Sequence, residues 1–174
     1  MKKTAKNALN VAVLAHAAML HVGAASAEGP RVGERFGDWT FECTALAESQ
    51  TECALSQVLM DGDRQVPVAK FSLNKDNLGE ARFLIAVLPL GIDATMPISA
   101  RIDQGKPTSL QLLTCLAGGC IARLPLDPAI VKEMKGGMRM SVFFNFVGSA
   151  DQTVFPVSLA GVTKGFAAAR LDYD

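Results

Sequence analysis

The chain is poor in histidine and in the larger aromatics. Its 174 residues include two histidines, one tryptophan and one tyrosine. Both histidines, His16 and His21, lie in an N-terminal stretch that reads as removable. Lys2, Lys3 and Lys6 open the chain, an apolar run without acidic residues extends from Ala8 to about Gly23, and Ala25-Ser26-Ala27 supplies a small-x-small cleavage site before Glu28. This is the pattern of a secretory signal peptide over residues 1–27. A retained anchor fits less well, because the run is short and alanine-rich, and no cysteine follows it to mark a lipoprotein. Cleavage leaves 147 of the 174 residues, enough for one domain with a real core. That mature chain has no histidine. It therefore lacks the usual general base and the usual metal ligand. Ser-His-Asp and Cys-His mechanisms are excluded for the mature chain acting alone.

Positive charge is also scarce. Lys2, Lys3 and Lys6 leave with the signal, so 14 of the 17 basic residues face all 17 acidic ones, a net charge of −3. A mildly acidic chain without a basic run is a poor nucleic-acid binder. No run long enough to cross a membrane as a helix follows the signal, so no transmembrane segment is expected after cleavage.

Four cysteines are present, and all lie beyond the signal: Cys43, Cys53, Cys115 and Cys120. An even count in an exported chain reads as two disulfides. Three connectivities are possible. Cys43–Cys53 and Cys115–Cys120 are favoured because each pair brackets a hairpin, and two cross-links between the hairpins are the competing arrangement. The second hairpin, Gln111 to Leu124, is the clearest. Apolar runs enter and leave Gly118-Gly119, whose two glycines are expected to supply the positive φ of a tight reversal.

The rest of the chain is punctuated at short intervals. Residues 28–35 are polar and contain Gly and Pro, a flexible, exposed leader before a domain over 36–174. Trp39-Thr40-Phe41-Glu42-Cys43 alternates as a strand, with Trp39 as a core anchor. Further strands are expected over 52–60, 66–73, 98–103 and 153–159. Residues 81–88 are almost wholly apolar and predict a central strand buried on both faces. Met138 to Val147 predicts another two-sided strand, with Met138 and Met140 as core filler and the C-terminal helix as cover for Ser141–Val147. Asp127-Pro128 caps a helix that Gly136 stops, and Gly161 to Leu171 can form a second. Eight or nine short strands with one or two small helices make an antiparallel β-sandwich. A small outer-membrane barrel is disfavoured by the proline-interrupted strands and the shortage of Trp and Tyr.

Other motifs carry little. Cys115 and Cys120 have Cys-x4-Cys spacing, not the Cys-x2-Cys of thiol oxidoreductases, and zinc there lacks two more ligands. Asp61 and Asp63 lack the remaining ligands of a calcium loop. Ser72-Leu73-Asn74-Lys75 matches a Ser-x-x-Lys pattern on a strand instead of a helix start. Met134, Met138 and Met140 are simpler as core than as a copper site. No catalytic, cofactor-binding or metal-binding residues are assigned.

The ordered set Gly37-Asp38-Trp39, Cys43, Cys53-Ala54-Leu55-Ser56-Gln57, Pro89-Leu90-Gly91-Ile92, Ile102-Asp103-Gln104-Gly105, Cys115, Gly118-Gly119-Cys120 and Pro156-Val157-Ser158-Leu159-Ala160-Gly161 resembles the invasion-associated locus B (IalB) family over residues 36–171. The resemblance implies an immunoglobulin-like sandwich in an exported envelope protein of proteobacteria, and it carries over no catalytic residue. The function expected is a non-enzymatic binding or accessory module, in the periplasm, associated with the outer membrane or at the cell surface. Its partner would be an envelope protein or a host cell, contacted through loops or through a sheet edge near Pro67 or Pro156. The alternatives are a structural periplasmic component, with Ser141–Val147 as its interface, and a histidine-free enzyme working through Glu42, Glu52, Asp93 or Asp103.

Overall fold

The computed structural model describes residues 29–45, 51–76, 78 and 80–173. The signal peptide expected over 1–27 and the middle of the loop expected over 44–51 lie outside the described residues. In chain order the elements are β1 (Arg35–Phe36), β2 (Trp39–Ala45), β3 (Thr51–Met60), β4 (Pro67–Lys75), β5 (Arg82–Leu88), β6 (Ile98–Ile102), β7 (Thr108–Leu116), β8 (Gly119–Pro125), α1 (Pro128–Gly136), β9 (Arg139–Asn145), β10 (Gln152–Ser158) and α2 (Val162–Ala168). The strands run in the order β1-β2-β3-β4-β5-β8-β7-β6-β9-β10, every neighbouring pair antiparallel. The architecture is all-β and antiparallel with two short helices and two disulfides, as the sequence predicts.

Strand β7 is the corner of this sheet. Its first residues pair with β6, its later ones with β8, and the register shifts between Leu112 and Thr114. An extra residue at such a bulge bends a strand and lets it pass from one layer to the next. The two ends of the strand order then meet around a single core. Trp39, Leu55, Phe71 and Leu84 from one layer are buried with Met140, Val142, Phe144 and Val157 from the other. Phe144 lies edge-on to Phe146 and Phe155, with ring centroids 5.4 and 5.0 Å away.

A polar seam closes the fold where β3 meets β10. The buried Gln57 side chain accepts from the Ser158 N–H (2.9 Å) and donates to the carbonyls of Ser158 (3.2 Å) and Asp38 (3.3 Å). Trp39 Nε1 donates to the same Ser158 carbonyl at 2.9 Å. Gln57 thus acts as a short piece of backbone, reaching from β3 to β10, two strands that share no ladder. Beside it, the Asp38 N–H donates to the Ala160 carbonyl at 3.1 Å. Gly37 and Gly161 both have positive φ, and a Cβ on either would collide with the backbone of Ala160 or Phe36. The motifs around residues 37–39, 57 and 156–161, remote in sequence, are therefore one structural unit.

Several local expectations are revised. The hairpin turn consists of Ala117-Gly118, because Leu116 pairs with Gly119. Only Gly119 of the two glycines has positive φ, and the Leu88 carbonyl and Val87 crowd the place of its missing Cβ. Helix α1 is capped by Asp127, which accepts from the Ile130 N–H at 2.8 Å, and starts with Pro128. It runs through Gly136 and ends at Gly137, a residue of extended conformation whose lack of Cβ admits Ile102 and Asp103. Met140 is core, but Met138 is 80% exposed, since β9 begins only after it. Helix α2 does not serve as the cover for β9. It packs mainly on α1, β1 and β2, with Gly165 making room for Leu55. The leader is exposed as expected, yet from Gly33 onward it is hydrogen-bonded to β2 through Phe41.

Candidate binding face

Strand β5 reads apolar on both sides, and the structure separates the two. Leu84, Ala86 and Leu88 are buried in the core, whereas Phe83, Ile85 and Val87 point outward and are only half-buried. The cover expected on both faces is present on one. Cross-strand register continues the outward row. Ser56, Ser72, Ile85 and Arg123 lie side by side across β3, β4, β5 and β8, and Val58, Lys70, Val87 and Ile121 form the next row.

This outward face holds two adjoining depressions that share Lys70. The first, about 320 Å³, is polar on the β2 side, with Glu42, Thr44 and Glu52, and has Ser56, Ser72 and Asn74 in its floor. The Ser56 and Ser72 hydroxyls are 3.0 Å apart. Lys70 Nζ bridges to Glu42 Oε2 at 2.6 Å, but both side chains are about two-fifths exposed, so the pair contributes little to stability. The second depression, about 420 Å³, is apolar and is lined by Val58, Pro67, Val68, Val87, Pro89 and Gly118. Met60, Val66, Leu90 and Leu116, each about half exposed, extend the apolar surface around that end of the sheet. On the β8 side the Arg123 guanidinium stacks 4.4 Å from the Phe83 ring centroid. Its Nε is shut off from solvent without a hydrogen-bond partner, and no ion pair engages Arg123 among the described residues. Stacking fixes the planar group while leaving its outer N–H donors available.

The residues singled out from sequence are dispersed. Cys43–Cys53 and Cys115–Cys120 are the two disulfides, each joining directly opposed residues of a hairpin with Cα atoms 4.0 and 3.9 Å apart. Of the four carboxylates weighed for catalysis, only Glu42 and Glu52 share a depression. Asp103, itself at positive φ, accepts from the Met138 and Arg139 N–H groups at 3.0 Å and so fixes the start of β9. Asp93 accepts from the Thr95 hydroxyl (2.6 Å) and N–H (2.9 Å), and these bonds hold its carboxyl below the usual range, the hydroxyl having the larger effect. Asp61 accepts from the Asp63 N–H within its own turn. Ser72 and Lys75, three apart on β4, project to opposite sides of the sheet. Among the described residues no group of three or more His, Cys, Asp or Glu could hold a metal ion, and no helix is long and apolar enough to cross a membrane.

The sheet edges are also corrected. Pro67 starts β4, which lies between β3 and β5 and offers no edge. Strand β10 is an edge, but a guarded one. Leu159 donates to Met138 across the ladder, so alternation turns positions 154, 156 and 158 outward. Pro156 has no N–H there, and Gln57 takes that of Ser158. A strand adding to this edge would find half of it closed.

The family model for Invasion associated locus B (IalB) protein matches residues 39–170. The chain belongs to the IalB family. Among curated relatives, the Invasion protein B homologs of Brucella abortus strain 2308 and of biovar 1 strain 9-941 are each 28% identical over 136 residues, 78% of this chain and 75% of theirs. The crystal structure of invasion associated protein b from Bartonella henselae superposes with a TM-score of 0.67 at 19% identity, covering 79% of this chain and 94% of that one. At that identity the likeness shows a shared fold. For this IalB protein the two cystines, all the residues of the outward face and the seam from Trp39 onward lie within the matched span.

Lys70, Ile85, Val87, Ile121 and Arg123 were not identified as functional residues from sequence. Their signal was the two-sided apolar pattern of residues 82–88, which asks for a partner on each side.

Proposed function

We propose that this protein is an exported, non-enzymatic binding or accessory module of the cell envelope, needing no cofactor and no metal, which holds a protein partner against the outward face of β2–β5 and β8. The observation that carries this reading is the uncovered side of β5. Phe83, Ile85 and Val87 are as apolar as the core residues beside them, yet the chain leaves them facing outward. Supporting it, both disulfides fit an oxidising compartment, and the pattern of residues 1–27 fits export. Asp93 and Asp103 are engaged in holding turns and Glu42 in an ion pair, which favours structural work over acid–base chemistry. The invasion protein names of the relatives make host-cell contact the narrower form of the proposal.

Fractionation of cells producing the full chain, with N-terminal sequencing and a non-reducing mass map, tests export. The expected result is a mature chain beginning at Glu28 with both cystines formed. Uncleaved protein with reduced cysteines in the cytoplasm would overturn the proposal. Protease added to intact cells then divides its two forms. Cleavage supports contact with a host, and protection until the outer membrane is opened supports an accessory role in the periplasm.

A further inference from the structure

The outward face is polarised from one side to the other, and the polarity is self-complementary. Across β2, β3, β4, β5 and β8 the charged groups run from Glu42 and Glu52 at one margin to Arg123 at the other, with β4 in the middle. Along the strands, the charged and small side chains occupy one end and the apolar depression the other. We propose that a second copy of this chain covers this face in an isologous dimer, the two-fold axis lying between the copies, parallel to the strands and over β4.

That operation reverses the order of strands and keeps their ends in place. β2 of one copy then lies over β8 of the other, so each Glu42 faces a partner Arg123. The apolar ends, Val58, Pro67, Val87 and their neighbours, fall on each other. Each Lys70 leans toward its own Glu42, which carries the two ammonium groups to opposite sides of the axis instead of together. Arg123, which has no ion pair among the described residues, gains a carboxylate for a guanidinium already held flat by Phe83. The face also meets the usual composition of an interface, an apolar patch with charge at its margins. β-strand addition at β10 is the competing route to a dimer, and Pro156 and Gln57 obstruct it. The inference rests on the reading that a protein partner occupies this face and names that partner as a second copy, wherever in the cell the protein works.

Charge reversal gives a test specific to this symmetry. Sedimentation of the mature, oxidised chain across the micromolar range should show a monomer–dimer equilibrium. Glu42→Arg and Arg123→Glu, each alone, set like charges opposite each other twice per dimer and should weaken association on the order of tenfold or more. Mixing the two variants restores both contacts in the heterodimer, so the mixture should dimerise where neither component does. Circular dichroism checks that each variant is folded, and the mixture serves as its own control, since misfolded chains would not recover. A chain that stays monomeric at all concentrations overturns the proposal. So do single variants that associate like the parent, or a mixture that does not recover. Methyl cross-saturation at Val87 and Ile121 in the parent locates the contact, and a dimer that leaves both unaffected also overturns it.

Discussion

The two sides of β5 begin with the same chemistry and end in different surroundings. Leu84, Ala86 and Leu88 are buried in one core with Trp39 and Phe71 of their own layer and Phe144 and Val157 of the facing one, all from this chain. Phe83, Ile85 and Val87 stay half-buried on the outward side, where the Arg123 guanidinium stacks on Phe83. Strand β9 shows what a side turned to water normally carries. Met140, Val142 and Phe144 are core, while the other side offers Ser141, a Phe143 lying under Arg101, and Asn145 tied to the Asp151 carbonyl. The core side is therefore explained by folding alone. The outward side of β5 exceeds what folding needs, and that excess is where function is to be sought.

Substitution can break this comparison. Leu84→Ala should cost about 2–5 kcal/mol through lost burial and the cavity left behind. Ile85→Ala, one residue away on the other side, should cost about 1 kcal/mol or less, as befits half-burial. Urea unfolding of the monomer measures both, and equal losses would mean that the two sides do not differ as described. The cystines come next. Replacing either pair by serine should cost about 2–3 kcal/mol by loop-closure entropy, acting on the unfolded chain and not on either face. Gln57→Leu conserves bulk but removes the partner of the Ser158 N–H, and should cost about 1–3 kcal/mol. The same variant should raise amide exchange at Ser158 while leaving β5 protected, which separates closure of the seam from integrity of the sheet.

The smallest effect concerns pH. Asp93 is half-buried, and its bonds to Thr95 lower its pKa in the fold. A lowered carboxylate pKa favours the fold above the ordinary carboxylate range, and that contribution is lost as pH falls through the lowered value. Thr95→Val should move the Asp93 titration upward, toward the ordinary range, in a carboxyl NMR titration. The outward face should not respond.

Much of this was legible in the sequence. Alternation around Trp39, Phe41 and Cys43 marked β2, the Asp-Pro start marked α1, and each cystine was named by the hairpin it brackets. What alternation could not say was which apolar side would find cover. The core that covers β5 includes Phe144 and Val157, each more than 50 residues away in sequence, and no local pattern encodes their approach. The seam is a similar case. Gln57 looked like an ordinary strand residue, because its role depends on Ser158, Asp38 and the backbone contact between Gly37 and Gly161. The bulge at Leu113 was invisible for the same reason, since an extra residue shows only against the partner strand. Met138 was misplaced because one residue decides whether a side chain leads into the core or precedes the strand.

The central claim is that the outward face of β5 is a working surface and not merely uncovered. The most direct measurement is site-specific photo-crosslinking in intact cells, with the reactive group at Val87 and, as the control, at Lys164 on the exposed side of α2. A discrete adduct from position 87 and none from position 164 is the predicted result. No adduct from position 87, or the same adducts from both positions, would contradict it.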